Sequence, residues 1–178
     1  MTTDLFRDLA LAPDDRLERL LRAARGPAPE SLAGYEWRGC NLTWRVKLLG
    51  LQKFVKGFFQ TGPDVEGYNI PVVQNGLDGD WQELPTPANP KRYAFYRVTR
   101  VDAQSADHRY PQAILLDYGA SPRNPPRAIE RRLRDYLVQP DAGNAEVLLG
   151  KAYFAFGRYR VPSNFFVLQR IGPADWKP

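Results

Sequence analysis

The residues best suited to acid–base chemistry in this sequence lie in two short segments that carry carboxylates, tyrosines and arginines. Asp117 is followed by Tyr118, and Arg134 is followed by Asp135. In an apolar interior such groups must be paired, because desolvation disfavours an isolated charge. Tyr118, Asp117 and Arg134 are therefore candidate catalytic residues, serving as acid, base and carboxylate anchor of a cofactor-free cyclase, isomerase or decarboxylase. The alternative is that Arg134 and Asp135 point outward and form a surface ion pair.

Metal and nucleophile chemistry is limited by the scarcity of cysteine and histidine. The one cysteine, Cys40, excludes an internal disulfide and a cysteine-based zinc site, and we expect it to be buried as a small hydrophobic residue. The one histidine, His108, stands between Asp107 and Arg109. Charged neighbours are typical of an exposed loop and not of a haem pocket. No phosphate-binding glycine motif occurs, so the sequence predicts neither a metal nor a cofactor.

Length and composition indicate one domain with a core of its own. The chain has 178 residues, of which 43% are hydrophobic. Its 14 glycines and 16 prolines favour strands and turns over helices. No apolar run reaches the roughly 18 residues of a membrane span, and the first ten residues lack the apolar stretch of a secretory signal. We therefore expect a cytoplasmic protein without a membrane span.

The net charge is +5, and basic residues are densest in residues 123–134. A protein that binds nucleic acid usually carries a broader basic surface with exposed aromatic residues, so we do not expect a nucleic-acid partner. A solvated basic segment is the simpler interpretation, and a site for another anionic partner is the alternative. The sequence does not indicate an oligomeric state. The arginines of this segment are Arg123, Arg127, Arg131, Arg132 and Arg134.

The N-terminal residues 1–33 form a separate helical segment in this interpretation. Pro13 suits a first helical turn, and Gly26-Pro27 ends the pattern. Between them one apolar stripe runs along a predicted helix over residues 13–24. We expect this helix to pack on the outside of the following domain or to plug one of its ends. The stripe consists of Leu17, Leu20, Leu21 and Ala24.

From Tyr35 onward the apolar period changes to two, which is typical of strands. Residues 75–90 are rich in turn residues and form a long loop or a pair of short strands. About eight strands in residues 34–178 predict an all-β, closed antiparallel barrel with one N-terminal helix. The expected strands are residues 35–46, 48–60 (where a short helix is the alternative), 92–101, 110–118, 129–138, 146–156 and 164–171.

Two residues at the ends of the predicted barrel are expected to meet where the sheet closes. Trp37 stands between Gly34 and Gly39 on the first strand, and Arg170 lies on the last strand. Closure of a barrel makes the first and last strands neighbours, so the guanidinium can stack on the indole. We assign Trp37 and Arg170 a structural role at this seam.

Four segments between residues 34 and 170 resemble a bacterial family of small lipocalin-like (calycin) proteins that carry a Gly-x-Trp-x-Gly motif. The resemblance implies a lipocalin-like barrel, and the family has no settled activity. The segments are Trp37-Arg38-Gly39, Lys56-Gly57-Phe58, residues 129–135 with Leu148-Leu149-Gly150-Lys151, and the closing aromatic strand, residues 165–170.

The broader likeness to lipocalins and fatty-acid-binding proteins implies an interior pocket for a small hydrophobic or aromatic molecule that bears a polar or acidic group. Arg97 or Arg134 would meet the polar end, because a guanidinium holds a carboxylate through two bonds. The alternative is an interior filled by side chains, since a barrel of this size is only just wide enough for one ligand. The expected lining residues are Trp44, Tyr93, Phe95, Tyr153 and Phe166.

Overall fold

The computed structural model describes residues 3–42, 52–174 and 176, and these residues form a closed antiparallel barrel. The predicted fold class is confirmed. The ten strands of the described chain are β1 (Tyr35–Asn41), β2 (Lys53–Thr61), β3 (Asp64–Pro71), β4 (Pro85–Thr86), β5 (Asn89–Pro90), β6 (Tyr93–Arg100), β7 (Ile114–Asp117), β8 (Leu133–Val138), β9 (Val147–Phe156) and β10 (Tyr159–Pro173).

The barrel closes through the pairing of its first and last strands. Its eight strands follow the order β1-β10-β9-β8-β7-β6-β3-β2, and every neighbouring pair is antiparallel. The two-residue strands β4 and β5 pair only with each other. Closure leaves no free sheet edge and encloses an interior.

Two helices precede the barrel, whereas the sequence predicts one. They are α1 (Asp4–Leu11) and α2 (Asp14–Ala23). The hydroxyl of Thr3 caps α1 by accepting a hydrogen bond from the Phe6 N–H at 3.3 Å, and Pro13 separates the two helices. A helix as short as α1 is marginal alone and depends on packing, so its own pattern is a weak signal. Within the described residues neither helix has the length and apolar run that a membrane crossing needs.

The helices cover part of the outer face of the barrel. Phe6 and Leu9 of α1 and Leu17 and Leu21 of α2 are buried against outward-facing residues of β8, β9 and β10. The outer face is therefore apolar over this area, as the interior is. Because both faces of these strands are apolar, their sequence pattern does not show which residues face the cavity.

One end of the barrel is closed. Leu32 follows a short 3₁₀ turn (Pro29–Ser31) and is buried in the interior together with Trp37. Trp37 packs edge-on against Phe58, with ring centroids 6.4 Å apart. The cavity described below lies towards the opposite end, where β1 finishes and β2 begins.

Candidate functional site

A cavity of about 520 Å³ occupies the half of the barrel opposite the closed end. Its walls are formed mostly by apolar and aromatic side chains from seven of the eight barrel strands. The lining residues used below are Phe54 and Lys56 of β2, Asn69 of β3, Tyr93 and Ala94 of β6, Tyr118 after β7, Leu133 and Asp135 of β8, Ala152 and Phe154 of β9, and Asn164 and Phe166 of β10.

Two glycines give space to the aromatic rings of the wall. A Cβ atom at Gly39 would stand 2.2 Å from the ring of Phe54, and one at Gly150 would stand 2.2 Å from the ring of Phe166. The two rings meet edge-on with centroids 6.0 Å apart. Gly39 thus allows the close approach of a ring, and the register of β1 with β10 shifts between Glu36 and Trp37.

Four polar side chains form a buried hydrogen-bonded cluster in the cavity wall. The ammonium of Lys56 donates to the Asn69 amide oxygen at 2.9 Å and to the Tyr118 hydroxyl at 2.5 Å. The Tyr118 hydroxyl donates to Asp135 Oδ2 at 2.8 Å, and Lys56 Nζ itself lies 3.2 Å from that oxygen. Both charged side chains are almost fully buried. We call these four residues the lysine cluster.

Aromatic rings surround the ammonium on its other sides. Lys56 Nζ lies 4.8 Å from the ring centroid of Tyr96. The rings of Phe54 and Phe166 are 5.4 and 5.5 Å away. Ring faces attract a cation and partly replace the water that it loses on burial.

Burial shifts the proton equilibria of this cluster. Desolvation lowers the pKa of Lys56 from its usual 10.5, and the nearby Asp135 carboxylate opposes that shift only in part. The pKa of Tyr118 is raised well above 10, first by burial and then by the charge of Asp135. Burial therefore makes the Lys56 ammonium lose its proton more easily than in water, and the Tyr118 phenol less easily.

An irregularity in β6 shapes the opposite wall. The register between β3 and β6 shifts between Gly67 and Asn69, and Ala94 takes a positive φ of 47°. Such a bulge redirects side chains. Tyr93 and Ala94 therefore both line the cavity, and the Asn69 amide donates to the Ala94 carbonyl at 2.9 Å.

Four of the predicted site residues form a row on the outer face of the barrel. Arg97, Asp117, Arg134 and Tyr153 are register partners across β6, β7, β8 and β9, and none of them lines the cavity. The prediction that Arg97, Arg134 and Tyr153 contact the ligand is therefore wrong. The adjacent inward row places Leu116 beside Asp135 and Asp135 beside Ala152.

The proposed catalytic set does not converge on the cavity. Asp117 pairs with Arg134 at 2.9 Å, and its Oδ1 accepts the backbone N–H groups of Gly119 and Ala120. Of the three candidates only Tyr118 faces inward. Its acidic partner is Asp135, which belongs to one of the two segments singled out in the sequence but is not among the three catalytic candidates.

Other outward residues have structural partners. Phe95 packs against Trp176 with centroids 5.9 Å apart, on the outer side of the bulge that separates it from Tyr93. Arg97 lies 3.6 Å from Asp64. The Tyr153 hydroxyl is 2.8 Å from that of Tyr110, beneath α2.

Tyr93 and Phe166 line the cavity as the sequence analysis predicts, whereas Trp44 lies outside the described residues. At the seam Trp37 and Arg170 are register partners, and the guanidinium carbon lies 5.2 Å from the Trp37 ring and 4.4 Å from the Tyr35 ring. The predicted contact at the closed end is present.

Lys56 and Asn69 were not identified from the sequence as site residues. A signal for Lys56 exists, because Phe54, Lys56 and Phe58 share one face of an otherwise apolar strand. A lysine on such a face is rarely buried without a partner. The partner is more than 70 residues away, so no local pattern names it.

The remaining candidates have no place in the cavity. His108 is exposed, with Nδ1 2.6 Å from the Ser105 carbonyl oxygen, and Cys40 is buried beneath the helices. Among residues 3–42, 52–174 and 176 no group of three His, Cys, Asp or Glu side chains is arranged to hold a metal ion.

The basic segment is largely tied into the fold. Arg123 pairs with Glu66 at 3.3 Å, and Arg131 donates to the carbonyls of Gly119 and Ser121. An anionic partner at this segment stays a prediction.

No protein-family model matches this chain, and comparison with curated proteins finds no significant relative. The lipocalin-like family suggested by the sequence motifs stays a hypothesis, and the function must be argued from the cavity.

Proposed function

We propose that this protein binds a small, mainly apolar molecule with one polar group inside the barrel. One observation carries the proposal: the cavity has apolar walls and reaches a buried cluster of hydrogen-bonding groups. Its volume of about 520 Å³ lies within the range of roughly 300–1,000 Å³ for small-molecule sites.

The walls favour a flat or aromatic body. Phe54, Tyr93, Phe154 and Phe166 supply ring faces and edges, and Leu133 adds aliphatic surface. Aromatic walls contact a planar ring system through offset or edge-to-face arrangements. The free energy of binding would come mainly from the apolar area that leaves water.

The polar group of the ligand would meet the lysine cluster. Arg97 and Arg134 lie outside the barrel, so neither can hold a carboxylate here. Lys56 and Asp135 carry opposite charges and already balance each other. A neutral carbonyl or hydroxyl group therefore fits better than an additional buried charge.

The mouth is polar. Asn164 donates to Asn41 at 2.7 Å, and Ser163 donates to Asn164 at 2.8 Å. Gln74 and Glu130 also border the opening.

Fluorescence titration with N-phenyl-1-naphthylamine, a neutral aromatic probe, tests the proposal. We expect saturable binding at one site and displacement by 2-naphthol. Naphthalene should displace the probe about tenfold less well, because it lacks the group that bonds the lysine cluster. Fluorescence that rises without saturation, or no displacement by 2-naphthol, would contradict the proposal.

A further inference from the structure

We propose that Lys56 binds an aromatic aldehyde covalently, as an imine on its side-chain nitrogen. This inference rests on the proposed function, because the aldehyde must first enter the cavity. It assigns Lys56 the role of nucleophile and names the class of ligand.

All four members of the lysine cluster line the cavity. A ligand carbonyl that reaches the cluster therefore meets the amine, a phenol and a carboxylate together. Tyr118 lies 2.5 Å from Lys56 Nζ and 2.8 Å from Asp135 Oδ2, so it bridges the nucleophile and the carboxylate. A lysine paired for stability alone needs no contact with an open cavity.

Imine formation balances with these groups. The Lys56 ammonium gives a proton to Asp135, 3.2 Å away, and becomes a neutral amine. The nitrogen lone pair forms a bond to the carbonyl carbon while the carbonyl π electrons move to oxygen. A nitrogen-bound proton then reaches that oxygen through the Tyr118 hydroxyl, which gives a carbinolamine. No oxidant or reductant takes part.

The second half of the reaction releases water. Asp135 returns its proton to the carbinolamine hydroxyl, the C–O bond breaks, and the nitrogen lone pair forms the C=N bond. The product is a protonated imine whose charge is balanced by the Asp135 carboxylate. Each turnover to the imine consumes one aldehyde and releases one water molecule.

The surroundings favour both the nucleophile and the product. Burial lowers the pKa of Lys56, which raises the fraction of neutral amine. The rings of Tyr96, Phe54 and Phe166 stand 4.8–5.5 Å from the nitrogen. They would stabilise the iminium cation and limit the access of water that hydrolyses it.

Reductive trapping tests the inference on the unmodified chain. The protein is incubated with 6-methoxy-2-naphthaldehyde and sodium cyanoborohydride, and the product is examined by intact-mass measurement and peptide mapping. We expect one added group, located at Lys56, with a yield at least about tenfold above that at the exposed Lys91, whose amine lacks this environment.

Two variants support the mapping. Lys56→Met/Asp135→Asn removes the nucleophile together with its charge partner and should abolish trapping, whereas Lys91→Met, at an exposed lysine near the mouth, should leave the yield unchanged. The mapping on the unmodified chain decides the question if the double variant does not fold.

A non-reactive analogue separates this inference from the proposed function. 2-Methoxynaphthalene has the same ring system and no aldehyde. Binding of this analogue without trapping at Lys56, or with trapping spread over several lysines, would overturn the imine and leave the proposed function standing. Failure of both compounds to bind would overturn both.

Discussion

The ammonium nitrogen of Lys56 lies 3.2 Å from a carboxylate oxygen of Asp135 in the interior of the barrel. The two residues come from β2 and β8, which are not neighbours in the sheet. Tyr118 and Asn69 complete the hydrogen bonds of the lysine. A buried charge in this position depends on its partner, which gives a direct test of the cluster.

Removal of one charge should destabilise the protein more than removal of both. Lys56→Met leaves Asp135 buried without its counterion and should lower the free energy of unfolding by about 3–5 kcal/mol. Lys56→Met/Asp135→Asn should lose clearly less than the sum of the two single changes. Urea unfolding measures Lys56→Met, Asp135→Asn and the double variant. Lys91→Met, at an exposed position, should stay within about 0.5 kcal/mol of the parent, and additive losses in the cycle would contradict the pairing.

The position of the Phe54 ring depends on Gly39, which has no side chain that would collide with the ring. Gly39→Ala places a Cβ 2.2 Å from that ring, so the ring must move into the cavity. We expect a loss of about 1–3 kcal/mol in stability and weaker binding of N-phenyl-1-naphthylamine. Gly172→Ala is the matched control, since a Cβ there meets no atom within 4 Å. Equal effects of the two changes on stability and on probe binding would argue against this packing.

Substitutions of Trp37 and Arg170 should lower the stability of the barrel by unequal amounts. Trp37→Ala removes the buried ring that closes the barrel and should cost about 3–5 kcal/mol. Arg170→Lys keeps the charge near Glu146 but loses the planar stack on Trp37 and Tyr35. That change should cost less, about 0.5–2 kcal/mol. Thermal and urea unfolding measure both losses of stability. An Arg170→Lys loss as large as that of Trp37→Ala would contradict the structural roles assigned to these two residues.

Asp107 should contribute to acid sensitivity. Burial alone would raise its pKa, but the hydrogen bonds and charges of Arg160 and Arg134 outweigh burial and hold the pKa below 3.8. A carboxyl with a lower pKa in the folded state stabilises the fold above its unfolded pKa, and this contribution is lost as the pH falls through the folded value.

The stability difference between the parent and Asp107→Asn should therefore be largest near neutral pH and shrink below about pH 4. Urea unfolding at a series of pH values measures it. Asp102→Asn, at an exposed position of the same loop, should give a small difference at every pH. A difference for Asp107→Asn that does not change with pH would contradict the role of its ion pairs.

The sequence predicts the barrel but not which face of each strand lines it. Period-two alternation identifies most strands, although no strand was assigned to Asp64–Pro71. The alternation does not show that Tyr153 points outward, because the helices bury the outer face of its strand and both faces are therefore apolar. A choice wrong by one residue moves every side chain to the opposite face. The row from Arg97 to Tyr153 was therefore assigned to the interior.

The lysine cluster could not be derived from local patterns. Asp135 and Lys56 meet only because the sheet closes, and Tyr93 faces inward only because β6 carries a bulge before Phe95. Trp37 and Arg170 were predictable because closure itself makes the first and last strands neighbours. The pairing of the first and last strands was accessible, whereas a contact across the interior between strands that are not neighbours, and a side chain redirected by a bulge, were not.

The central claim, that the barrel holds a small apolar molecule, is tested most directly by filling the cavity. Ala152 lines it beside Asp135, whereas Ala155 lies on the same strand with the outward parity of Tyr153. Titration with N-phenyl-1-naphthylamine should give at least about tenfold weaker binding for Ala152→Phe and unchanged binding for Ala155→Phe, provided that both variants retain cooperative unfolding. Equal affinity of the parent and both variants would place the probe elsewhere and contradict the claim.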